Sequence, residues 1–153
     1  MIHRRTRYVF FLFLLSVVIA ALVGTVVQTQ INLAAIQALG VSIPFGVRLS
    51  TTFDDLLRFT PTLAALALVA LGIALPIASW VNRRLPKHRN FIFILAGWSS
   101  LLLAFWVANA FAPMPTLIAA TRTLGGAIAV AGCGAIGAYF FGTMKDKGNG
   151  HVG

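Results

Sequence analysis

Side chains able to do chemistry are scarce in this chain. Of 153 residues only three are acidic, against twelve Lys and Arg, three His and one Cys. Asp54 and Asp55 are adjacent, and paired carboxylates can serve acid–base work or hold a cation. Consecutive helical residues point about 100° apart, however, so adjacency alone does not give them one site. A place at a helix N-terminus, with Asp54 facing Arg58 at i,i+4, accounts for the same residues without chemistry. His3, His88 and His151 all fall in polar segments, whereas a membrane b-type haem needs histidines inside the apolar spans. Cys133 is alone, which excludes an intramolecular disulfide and a thiolate metal cluster. No nucleophile–base pair can be assembled from these groups, so the sequence points to no enzyme, no cofactor and no metal site.

Arg122 is the most informative residue. The apolar run from Thr116 to Ala120 places it about two turns into the last expected helix. An ionised group at that depth is by default a hypothesis of function. Two roles are open to it. Its long side chain can snorkel to the outer head groups. Alternatively it turns inward and, with Thr121, Thr123, Gln28, Gln30, Asn109 and an acid, Asp54 or Asp55, lines an outward-facing polar recess. An Asp55–Arg122 pair is the sharpest form of that second reading.

The elements that must position these residues follow from composition. The chain is 59% hydrophobic and 10% charged, with a mean hydropathy of +0.90; a soluble domain carries about a quarter charged residues. That excludes a water-soluble globule. Four uncharged or nearly uncharged stretches, 8–27, 61–81, 91–112 and 116–142, are each long enough to cross a hydrocarbon core of about 30 Å. The expected fold is all-α: one membrane domain, a bundle of four transmembrane helices. An outer, partly helical loop spans 28–60, a tight basic loop 82–90, and a polar, flexible tail 143–153.

The first stretch follows His3, Arg4, Arg5 and Arg7, as a secretory signal would. It exceeds the usual apolar core of about 7–15 residues, and no small-x-small site precedes Gln28, so we read it as a retained helix. Nothing breaks a helix between Gly24 and Gly40, which predicts that this helix projects through Ile31, Leu33, Ile36 and Leu39 and ends near Gly40, in preference to a short strand that the alternation from Val27 to Leu33 would also fit. Val41 to Ser50, with Pro44 and Gly46, reads as a loop. Thr51-Thr52-Phe53-Asp54 resembles a capping box opening a short interfacial helix. Thr60 is then expected to cap the second span, with Pro61 as its first residue. Pro76 removes the bond to the Gly72 carbonyl, so the pair Gly72 and Pro76 predicts a hinge. Pro113-Met114-Pro115 is expected to turn the chain into the fourth span.

Nine of the twelve basic residues fall on one side of this layout: Arg4, Arg5, Arg7, Arg83, Arg84, Lys87, Arg89, Lys145 and Lys147. Arg48, Arg58 and Arg122 fall on the other. The positive-inside rule then puts both termini in the cytoplasm of a bacterial-type inner membrane. The net charge of +9 is thereby explained by topology and lipid head groups rather than by nucleic acid.

Gly125, Ala129, Cys133 and Gly137 recur at four-residue spacing, the pattern by which helices approach closely in lipid. Their partner is another helix of the bundle or a second subunit. The leading functional expectation is therefore a membrane protein that acts by association, as an accessory or assembly subunit or as a homo-oligomer. The rival is a small transporter or channel built around the Arg122 recess. A small multidrug transporter would need an acid in its first span, and a disulfide-generating membrane protein would need paired cysteines; neither is present.

Overall fold

The computed structural model describes residues 2–111 and 119–150, among which the regular elements are all helical. They are α1 (Ile2–Ala38), α2 (Phe45–Arg58), α3 (Thr60–Arg84), α4 (Arg89–Phe111) and α5 (Leu124–Gly150), with short 3-10 turns at Pro86–His88 and Ala119–Arg122. Four of the helices are long and apolar enough to cross a membrane, in the segments Thr6–Ala38, Thr60–Arg84, Pro86–Phe111 and Leu124–Lys145. The chain is a multi-pass, all-α membrane protein. Helices are the solution that lipid imposes on such sequences, because each satisfies its own backbone hydrogen bonds.

The 37 residues of α1 extend about 55 Å, well beyond a bilayer core. The helix ends where the sequence predicts, at Ala38, and Gly40 takes a positive φ of 88° that closes the turn. The next stretch departs from expectation. Helix α2 begins at Phe45, with Pro44 at its N-cap position, so 45–50 is helix rather than loop. Thr51 and Thr52 consequently lie inside the helix, and the Thr52 hydroxyl donates to the Arg48 carbonyl at 2.8 Å instead of capping an end. One glycine, Gly46, costs a helix only about 1 kcal/mol, and the docking of Arg48 described below offsets it. Thr60 does not cap α3 either: Phe59 holds that position without a side-chain cap. The Thr60 hydroxyl meets that of Thr25 on α1 at 3.0 Å.

The basic connection is as tight as expected, with only Leu85 and the turn Pro86–His88 separating α3 from α4. The expected turn at Pro113-Met114-Pro115 lies outside the described residues. Helix α5 starts later and ends later than its predicted span. Thr123 caps it, accepting the Gly126 amide on its Oγ1 at 3.1 Å. A Cβ on Gly126 would collide with the Ala120 carbonyl, so glycine there lets the preceding turn fold back on the helix. At the other end the helix continues through 143–150, where a flexible tail was expected.

Helix α1 packs on α3 and α5, and α4 packs on the same two. The core between them is made largely of Leu, Ala and Phe, including Ala20, Leu63, Ala67, Leu71, Phe93, Leu101, Val130 and Ala138. Small residues set the closest approach: Gly97 of α4 and Gly134 of α5 face each other so tightly that a Cβ on either would strike the other's carbonyl oxygen. One end of the bundle gathers the beginning of α1, the α3–α4 connection and the end of α5. There Tyr8 Oη donates to the Met144 carbonyl at 3.3 Å. Arg89 donates to the Gly142 carbonyl, and Lys145 Nζ to Ser79 Oγ at 3.0 Å. This is the basic end; α2 and the turn Ala119–Arg122 lie at the other.

Candidate functional site

The polar residues picked out from the sequence fall into two hydrogen-bonded groups at the same end of the bundle, where α1 also touches the turn Ala119–Arg122. The first joins α2 to the projecting end of α1. Thr25, Gln28 and Thr29 are buried there, at 0%, 6% and 1% exposure. Thr29 Oγ1 donates to Asp55 Oδ2 at 2.7 Å. Gln30 Nε2 donates to Thr52 Oγ1 at 3.1 Å. Arg48 donates to Gln30 Oε1 at 2.9 Å and to Gln37 Oε1 at 2.7 Å. Gln30 and Gln37 are seven residues apart and share a face of α1, so a single guanidinium fork reaches both. These bonds dock α2, which buries no residue of its own and leaves Phe45, Leu49, Phe53 and Leu57 exposed. The buried Gln28 Oε1 has no hydrogen-bond partner.

The second cluster lies where α4 meets the turn before α5, and Asn109 Nδ2 donates to Thr121 Oγ1 at 3.0 Å there. Arg122 ends that turn. It is exposed and precedes α5, so it is not two turns inside a helix. The cause is the Thr123 cap, which sets the helix start just after it. Among the described residues no ion pair joins Asp55 to Arg122; the Asp55 carboxylate accepts the Thr29 hydroxyl. Asp54 is exposed. Both carboxylates sit in the last two turns of α2 rather than at its N-terminus, because α2 begins at Phe45. Backbone partial charges disfavour anions at that end, and the Thr29 hydrogen bond compensates Asp55. Among the described residues no three His, Cys, Asp or Glu lie close enough to hold a metal ion.

The small-residue row on α5 is only half engaged. Cys133 and Gly137 are buried against α1: a Cβ on Gly137 would come within 2.6 Å of the Ser16 carbonyl oxygen. Gly125 and Ala129 are exposed, and a Cβ on Gly125 would meet nothing. Helix geometry explains the split. A step of four residues turns about 400°, so three such steps carry the row about 120° around the helix, away from any single straight neighbour. The seam with α4 runs instead through Gly134, Ala138 and Gly142, opposite Phe93, Gly97 and Leu101. The facing of Gly97 and Gly134 is not legible in the sequence, because Gly134 is one of many small residues on α5 and its partner Gly97 is on another helix.

Two concave features stand out among the described residues. Gly72 and Pro76, expected as a hinge, line a cleft of about 830 Å³ between α1, α3 and α5 at the basic end. A second, smaller groove of about 480 Å³ runs between α3 and α4 on the outside of the bundle. Its trough is made of Ala70, Ala74, Ala96, Ser100 and Ala104, and its walls include Val69, Ile73, Ile77 and Leu103. The Ser99 and Ser100 hydroxyls are satisfied by carbonyls of their own helix, leaving an apolar surface. Comparison with family models, curated proteins and solved structures finds no match to this chain.

Proposed function

We propose that the protein works by association within a bacterial-type inner membrane, with both termini in the cytoplasm. It acts there as an accessory or assembly subunit of a larger complex or as a homo-oligomer, without chemistry of its own. The observation that carries this reading is the groove between α3 and α4. Its floor residues recur at four-residue intervals on both helices, Ala70 and Ala74 on one, Ala96, Ser100 and Ala104 on the other. The flanking Val69, Ile73 and Ile77 stand proud as a ridge, each more than half exposed. A trough one small residue deep beside a ridge of branched residues is complementary to the side of another transmembrane helix, and such contacts hold helices together in lipid by close packing.

The alternative, a small transporter or channel around Arg122, would need Arg122, Asp55, Gln28, Gln30 and Asn109 to act together; their hydrogen bonds fall in two groups, one linking α1 to α2 through Asp55 and Gln30, the other linking Asn109 to Thr121. Cytoplasmic termini rest on the positive-inside rule, applied to the basic end that collects Arg83, Arg84, Arg89 and Lys145. Extraction in a mild detergent, followed by size and composition analysis of the purified particle, tests the association. A stoichiometric protein partner or a dimer is expected, lost when Ala104→Phe fills the groove. A monomer free of other protein, unchanged by that substitution, overturns the reading.

A further inference from the structure

The cleft at the basic end is graded from polar to apolar along the membrane normal, and this gradient identifies a ligand. At its mouth stand Thr6, Ser79, Arg83 and Lys145; deeper lie Phe10, Phe13, Gly72 and Leu75. From Gly72 to Arg83 the wall on α3 is about 16 Å long at 1.5 Å per residue. The deep part of the cleft has room because Gly72 contributes no side chain: a Cβ there would only reach ordinary contact with the Phe13 ring, at 3.7 Å. The cleft volume of about 830 Å³ is within the range of about 300–1,000 Å³ usual for small-molecule sites.

Charge and depth at the mouth are equally specific. Lys145 is held toward the cleft, its ammonium bonded to Ser79 Oγ at 3.0 Å and 5.4 Å from the centre of the Phe141 ring. Trp80 also lines the mouth, with the Arg84 guanidinium 5.7 Å above its ring, and tryptophan beside arginine is the pairing enriched at head-group depth. Among the described residues no carboxylate lines the cleft, and Asp54 and Asp55 sit at the opposite end of the bundle. A site with two cations and two hydroxyls at head-group depth, continuous with an apolar slot, matches one molecule of the surrounding solvent. We propose that the cleft holds an anionic phospholipid, its phosphate between Lys145, Arg83 and the hydroxyls of Thr6 and Ser79, and one acyl chain along Phe10, Phe13, Gly72 and Leu75. Lysine and arginine serve here as point-charge and forked phosphate donors. The site is independent of the groove between α3 and α4 and stands whether or not a protein partner binds there.

The test uses the full chain, reconstituted in bilayers of equal phosphatidylglycerol and phosphatidylcholine, released into detergent and weighed by native mass spectrometry. A single retained phosphatidylglycerol in preference to phosphatidylcholine is expected. Arg83→Gln with Lys145→Gln should weaken that retention at least about tenfold, the change that one charge-assisted hydrogen bond is worth. Arg84→Gln with Lys87→Gln removes the same charge from the same end outside the cleft and should leave retention intact. Gly72→Leu keeps every charge, places a side chain in the slot and should weaken retention as well, which secures the test if the doubly neutralised variant does not fold. Equal retention of both lipids, equal loss in the two charge-matched variants, or no effect of Gly72→Leu would each overturn the proposal.

Discussion

Replacing Gly97 by alanine adds one methyl group at the closest approach of α4 and α5. The new Cβ would overlap the Gly134 carbonyl oxygen and stand 2.5 Å from the Ala138 Cβ. Carbon atoms pack at about 3.5–4.0 Å, so the two helices must separate by about 1 Å. A gap of that size forfeits roughly a quarter to a half of each dispersion contact along the seam, which here includes Phe93, Leu101 and Gly142. The expected cost is about 2 kcal/mol, within the range for overpacking a close-packed interior. Gly132→Ala provides the control, since a Cβ at Gly132 meets nothing within 4 Å. That change should be neutral or stabilising through higher helix propensity, by up to about 1 kcal/mol. Thermal unfolding of the purified protein in detergent reads the difference: Gly97→Ala should lower the midpoint by roughly 4–8 °C, and Gly132→Ala should not lower it. If the two variants melt together, the Gly97–Gly134 contact does not set the packing of α4 on α5.

The remaining expectations concern the polar clusters and topology. In double-mutant cycles, Thr29→Val with Asp55→Asn should show a coupling of about 1 kcal/mol from their hydrogen bond, whereas Arg122→Ala with Asp55→Asn should show none; the reverse order would restore the paired recess. Arg48→Ala removes the fork that holds Gln30 and Gln37, so faster amide exchange confined to 45–58 should follow, with a local loss of about 1–2 kcal/mol. Unchanged protection there would mean that α2 is held by something else. For orientation, Ser50→Cys should react with an impermeant thiol reagent from the periplasmic side and Asn149→Cys should not; inverted labelling would reverse the topology.

The long features of this fold are legible in the sequence because lipid imposes them locally. Uncharged length fixes the spans, and the absence of any breaker between Gly24 and Gly40 fixes the reach of α1. What escapes depends on partners distant in the chain. Helix α2 reads as a loop up to Ser50 because Pro44 and Gly46 are turn residues in isolation. Its helical state rests in part on the bonds of Arg48 to Gln30 and Gln37, 18 and 11 residues away. Arg122 is misplaced for a local reason: apolar Thr116 to Ala120 suggests helix, while the true start signal is Thr123, one residue too late for Arg122 to be inside. The α5 row at four-residue spacing looks like one face in the sequence, yet a helix of 3.6 residues per turn winds it off the interface. Gly72 and Pro76 stand out in the sequence for a backbone reason, and their place in the structure is the wall of a cleft.

Association through the groove between α3 and α4 is the central claim, and cross-linking in the native membrane tests it most directly. With Cys133 replaced by alanine, a single cysteine is introduced on the groove ridge by Ile73→Cys or, as a control on an exposed position of α1, by Leu22→Cys. Treatment with a short bifunctional thiol reagent should shift the Ile73→Cys chain to one discrete higher mass, either its dimer or an adduct with one partner, and leave the Leu22→Cys chain monomeric. A monomer from both positions, or the same ladder of products from both, would contradict it.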